Sequence, residues 1–334
     1  SQVRFDDLRI LRRDSDIMTG DIKLTALDLG ALANLMPGVA FSASPPEGSL
    51  TGMLKLEELD LDAPSKAELK LILSEAEIAQ RGNVYRIDSV TKPFRLSGEQ
   101  LEIPQFTIKA GFKGGARANI NTHGTVSGLS GEPQLNILSE LAPIDLSKLG
   151  LDVAEFKRAS GQLTGGVRIG GNLSDPKLTG KLNLDNGSFS LRALPLTAND
   201  VTVAIEIANN ELVVKQADAT VGSTGSASVR GRVNLDVSQG GIRVRDTNLA
   251  LTARELRLPV ADGIKVTADA ALQLDYTAAN TPDDAKSREL PTITGNVSLD
   301  SFNYTRPMRF TVDLDQLTSK KRTLVNDYNP EDDL

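Results

Sequence analysis

With 334 residues, a net charge of −7 and acidic and basic residues interspersed, the chain has neither the footprint of a nucleic-acid binder nor a polybasic run for a membrane surface. Cysteine is absent, which excludes disulfides and thiolate metal sites. Aromatics are 4% with no tryptophan, so a core must be built from Val, Ile, Leu and Ala, and no apolar run approaches the roughly 20 residues of a bilayer-spanning helix.

In chain order, Leu27 to Met36 has an Asp28 cap and helical spacing and stops at Pro37-Gly38, which predicts a short helix. Gly48-Ser49-Leu50-Thr51-Gly52 then opens a strand. Ser65-Lys66-Ala67-Glu68 fits a capping box, yet Leu69, Leu71 and Leu73 alternate, and strand is favoured over Leu69 to Gln80. Gly111-Phe112-Lys113-Gly114-Gly115 lacks the Lys-Ser/Thr ending of a phosphate loop. Asn121-Thr122-His123-Gly124 reads as a turn. It carries the chain's one histidine, with no nucleophile motif beside it. Asp145 to Leu149 with Val153 to Arg158 predicts a second short helix.

Gly161-Gln162-Leu163-Thr164-Gly165 repeats the Gly48 segment, and Pro291-Thr292-Ile293-Thr294-Gly295 begins a third copy. Asp185-Asn186-Gly187 and Asn209-Asn210 are turn signals. Val201, Val203, Ile205 and Ile207 alternate with polar or small residues, as do the apolar residues from Ile264 to Tyr276. Each reads as a strand with one dry and one wet face. Ala278 to Glu289 is polar and reads as an exposed loop. Thr318 to Leu334 reads as a charged tail, and its Glu331-Asp332-Asp333, like Asp60-Leu61-Asp62, as solvated charge rather than a calcium loop.

Long-range repetition of strand units predicts an all-β, elongated array whose copies touch mainly their neighbours. The units expected are 1–47, a partial unit with a short helix; 48–144; 145–277, with a short leading helix; a loop at 278–289; and a further truncated unit at 290–334. The start at Ser1, with neither an initiator Met nor a signal peptide, is the start expected of a fragment or processed chain. Periodicity leaves two possibilities for the dry faces. They close on one another as sandwiches, or they line an open surface.

The stretch from Val167 to Leu182, a strand, a Gly171-Asn172-Leu173-Ser174-Asp175-Pro176 turn, then Leu178-Thr179-Gly180 and a second strand, resembles the TamB family of Gram-negative envelope proteins, related to the AsmA-like group. Leu194-Pro195-Leu196-Thr197, the Gly222–Gly231 segment and Tyr304-Thr305-Arg306-Pro307 extend the similarity over roughly residues 20 to 310. The resemblance implies an elongated antiparallel sheet curled into an open hydrophobic trough. It implies a periplasmic bridge that carries phospholipids between inner and outer membranes, held by an N-terminal membrane helix that this sequence does not include. It also implies an outer-membrane barrel partner of the Omp85 type, reached through a C-terminal region that is missing here.

The candidate lining for phospholipid acyl chains is Val167, Ile169, Leu182, Leu184, Val201, Val203, Ile205, Ile207, Ile264, Val266, Leu272 and Leu274. No enzyme activity, catalytic residue, metal or cofactor is expected, and no nucleic-acid partner. The alternative is a scaffold or holdase that assists outer-membrane β-barrel assembly by pairing with client strands. A passive stalk would bind neither lipid nor client.

Overall fold

The computed structural model describes residues 2–12, 16–31, 47–80, 82–111, 117–148, 156–191, 196–237, 242–261, 264–278 and 290–304. They form one antiparallel sheet of 17 strands. The first are β1 (Gln2–Arg12), β2 (Asp16–Asp28), β3 (Glu47–Asp60), β4 (Glu68–Gln80), β5 (Asn83–Ile87) and β6 (Phe94–Ser97). Next come β7 (Gln100–Gly111), β8 (Arg117–Ser127), β9 (Gln134–Asp145), β10 (Phe156–Gly171), β11 (Pro176–Leu191) and β12 (Thr197–Ala208). The last are β13 (Glu211–Val221), β14 (Gly225–Asp236), β15 (Arg243–Ala261), β16 (Ile264–Thr277) and β17 (Thr292–Tyr304).

The strands meander, each pairing with its neighbours in sequence. β5 and β6 are two halves of one row, both held between β4 and β7. At about 4.8 Å per row, the sheet runs on the order of 70 Å across its strands. Among the described residues, β1 and β17 each have a registered partner on one side only. The repeat starts lie in β3, β10 and β17. Because β5 and β6 share a row, β3 and β10 run in the same direction and β17 runs opposite.

The two expected helices shrink to turns. Residues 29–31 make a helical turn, with Asp28 Oδ1 accepting from the Gly30 and Ala31 amides at 2.9 and 3.2 Å; the remainder of that segment, residues 32–36, lies outside the described residues. The second is a 3-10 turn, Leu146–Lys148, after Asp145 Oδ1 accepts from the Ser147 amide at 2.9 Å. Phe156–Arg158, read as helix, instead opens β10, because pairing with Leu191 and Ser190 of β11 satisfies its backbone. The same ladder makes strand of Glu68–Gln80, against its helix propensity.

Two expected turns are strand interior. Asn121 to Gly124 lies within β8, between β7 and β9. Asp185-Asn186-Gly187 is a bulge in β11, with Asn186 at φ 52. Asn209-Asn210 is the tight turn its sequence predicts, both residues at positive φ, 50 and 69, between β12 and β13. The loop at 278–289 falls, after Ala278, outside the described residues, as do Gly114-Gly115 and the tail from Thr318.

Bulges keep the faces in phase. From Leu24 to Leu27, Leu184 to Gly187 and Ala253 to Leu256 the sequence takes three steps where the neighbour takes two, and one residue in each (Ala26, Asn186, Glu255) has φ near 50. The surplus residue is absorbed, so the apolar residues on both sides stay on one face.

Glycines shape the same face. At Gly231, φ +140, a Cβ would sit 2.1 Å from Asn248 O, and at Gly295, φ +142, 2.1 Å from Ala271 O. Mirror-image extended backbone turns the missing side chain into the neighbouring strand, so only glycine fits, and it kinks the strand. We expect Gly231→Ala to lower stability by about 1–3 kcal/mol, read as a urea-midpoint shift. Gly131→Ala, which has nothing within 4 Å, should leave it unchanged.

Candidate functional site

Residues directly opposite each other in an antiparallel ladder share a face, so the register can be followed across the sheet. It traces one row: Leu27, Leu50, Ala76, Ile87, Ile108, Ile120, Leu141, Gly165, Leu182, Ile205, Val214, Gly231, Leu249, Leu274 and Ile293. It takes one residue from every row of the sheet from β2 to β17, and each is aliphatic or glycine. The row beside it on the opposite face reads Thr107, Asn121, Glu140, Gly166, Lys181, Glu206, Val213, Arg232, Asn248, Asp275 and Thr292. One side of the sheet is therefore dry across its strands and the other is wet.

The register puts all twelve candidate lining residues on the dry face. Leu182, Ile205 and Leu274 stand in the continuous row. Leu184 and Val203 pair with each other beside it, and Leu272 flanks it through Leu251. Val167 and Ile169 pair with Gly180 and Leu178, Ile207 pairs with Gly180, and Val201 with Gly187. Ile264 and Val266 lie near the β17 edge, against Tyr304 and Phe302. Leu184, Val201, Ile207 and Val266 are buried and the other eight half-buried.

The sequence reading missed much of this face. Ile87, Ile108, Ile120 and Leu141 belong to it equally, and their alternation in β5, β7, β8 and β9 was a usable signal. Around Val90, whose amide donates to Leu73 O at 3.0 Å, the face holds a small cluster of Leu73, Ala76, Phe94 and Phe106. Polar groups intrude at Thr122 and Ser139, which hydrogen-bond each other at 3.2 Å.

Among the described residues no second sheet lies over the face. All seventeen strands belong to one layer, and no large side chain is fully buried. The chain exposes 22956 Å², where a compact 35.7 kDa protein exposes about 13,000 Å². Yet Leu178, Leu184 and Ile207 are only 6% exposed. Of the two possibilities left by periodicity, the described residues do not form the two-sheet sandwich. At the edges the apolar residues stand free, with Phe5 60%, Leu299 71% and Phe302 68% exposed.

The polar face is laced with exposed ion pairs, among them Arg86–Glu77 at 2.5 Å, Arg230–Asp218 at 3.0 Å and Lys109–Asp88. Such pairs add little stability but keep this side in water. Asn234 donates to Asp246 Oδ1 at 2.6 Å and, with Arg245, holds that carboxyl below the usual range. His123 is exposed on this face. Among the described residues no group of acidic or histidine side chains is placed to hold a metal, and no helix is long and apolar enough to cross a membrane. In comparisons with known proteins, no family model, no curated protein and no solved structure matches the chain.

Because the chain has no cysteine, single cysteines report accessibility directly. Ile205→Cys and Leu274→Cys should react with a small water-soluble maleimide within about tenfold of Lys181→Cys on the opposite face, where a roofed interior would slow them far more.

Proposed function

We propose that the chain carries phospholipid acyl chains along its apolar face, as part of a periplasmic bridge between inner and outer membranes of the kind its sequence resembles. The observation that carries this reading is the unbroken aliphatic row from Leu27 to Ile293. A conduit needs a dry strip that continues from strand to strand, and a packed core does not need one open to water. Hydrating two acyl chains of about 30 methylenes costs on the order of 24 kcal/mol at roughly 0.8 kcal/mol per CH₂. A half-covered aliphatic strip removes part of that cost at every position along it. Movement then needs no chemical step, only exchange between equivalent positions. In this reading, in the full-length protein, an N-terminal membrane helix anchors the bridge and an Omp85-type barrel receives its C-terminal end.

A second reading has its own observation. Among the described residues β17 is an edge strand, with 13 residues and neither proline nor lysine, the devices that usually blunt an edge. Such an edge favours pairing with a strand of an outer-membrane protein awaiting assembly.

Val203→Asp and Val266→Asp should each cut the phospholipid that co-purifies with the chain, measured by mass spectrometry of extracts, by severalfold. Val213→Asp on the polar face should not. Equal lipid loading in all three would refute transport along this face. Ser298→Pro in β17 separates the two readings: loss of client-strand binding with lipid loading intact favours the edge.

A further inference from the structure

The geometry points to the hydroxyl pair of Thr122 and Ser139 as a binding site for an ester carbonyl, set within the apolar face. This deepens the reading above and rests on it. Register places both residues on the dry side. The row next to the central one reads Phe106, Thr122, Ser139 and Val167 across β7, β8, β9 and β10. Along the strands, Ile120 and Gly124 flank Thr122 on the same face, and Ile137 and Leu141 flank Ser139. Two hydroxyls thus stand side by side in apolar surroundings, and Gly124 adds no side chain beside them.

Strand formation does not require these hydroxyls. Val167, next in the row, shows that a β-branched apolar residue suits this face, and valine would supply the branch of Thr122 equally well. Among the described residues Thr122 is nevertheless the one polar residue that is buried, at 7% exposed, and Ser139 beside it is half-buried. Thr122 Oγ1 and Ser139 Oγ lie 3.2 Å apart, the one hydrogen bond that either side chain makes among the described residues. A hydroxyl has one proton to give and two lone pairs to receive. The enclosed Thr122 satisfies its proton by donating to Ser139 Oγ. Ser139 then accepts, and its own proton is left for whatever lies on the face.

On a wet face, water accepts that proton. An alkyl chain laid over Ser139 displaces the water and offers no acceptor, which leaves a donor unsatisfied. A carbonyl at the same point accepts the proton. An ester carbonyl fits best, because it stands at the head of an acyl chain, accepts well and brings no charge into apolar surroundings. An ether oxygen in its place is a weaker acceptor. The pair therefore fixes where an acyl ester rests, with its alkyl chain along the aliphatic row. Among the described residues no second sheet covers this face, so the head group beyond the ester stays in water.

The test uses the full chain and two amphiphiles with the same head group and equal chain length, lauroyl lysophosphatidylcholine and its dodecyl ether analogue. Each is titrated below its micelle concentration by calorimetry. The ester should bind about threefold to tenfold more tightly than the ether. The double substitution Thr122→Val with Ser139→Ala should remove that preference by weakening the ester alone, with the circular dichroism spectrum unchanged. Thr122→Ser, which keeps both hydroxyls, should retain the preference. Equal binding of ester and ether to the unmodified chain, a preference that survives the double substitution, or equal weakening of both ligands overturns the ester site while the groove stands. Loss of the preference in Thr122→Ser assigns it to packing and overturns the site as well. If neither amphiphile binds, the groove reading itself fails and the ester site falls with it.

Discussion

The register of the antiparallel ladder is the constraint on which the rest of this molecule depends. Side chains alternate with a period of two, so a slip of one residue between any two strands would move a whole strand's apolar set into the polar face. Across fourteen successive pairings no such slip occurs along the central row. Where a strand carries a surplus residue, as between Leu24 and Leu27 or between Ala253 and Leu256, a bulge with one left-handed residue absorbs it. What looks in the sequence like broken alternation is thus what keeps the faces separate.

A single-layer sheet of this length has an unusual balance of forces. It has no second layer to bury its leucines and isoleucines, so more of its cohesion comes from the ladder itself and from side-chain contact with flanking strands on the same face. The buried clusters follow from this: they run along the sheet, from Ala110 and Ala118 through Ile144 to Leu184 and Val201, and not between two sheets. Glycines at Gly231 and Gly295 permit the kinks, and Leu178 and Ile207 are only 6% exposed. The residual exposure of the face is the structural consequence of building it as a single layer.

Much of this was legible locally. The alternation in β12 and β16, the tight turn at Asn209-Asn210 and the Asn172 to Asp175 turn before β11 are short-range signals and survive in the structure. Signals that short-range chemistry shares between conformations misled. Asn121 to Gly124 and Asp185 to Gly187 have turn composition but sit in strands, because β7, β9, β10 and β12 offer them ladder partners. Phe156 to Arg158 has helical composition and is strand for the same reason.

By itself the sequence determined which side chains of each strand share a face and that the faces differ in polarity, because alternation is a property of a single extended segment. Only the tertiary structure decided that the dry faces of successive strands join into one row, that no second sheet covers them, and that β17 runs opposite to its sequence relatives β3 and β10. Those are matters of pairing between segments far apart in the chain, set by register and by the number of rows between them. No local pattern of residues encodes either one.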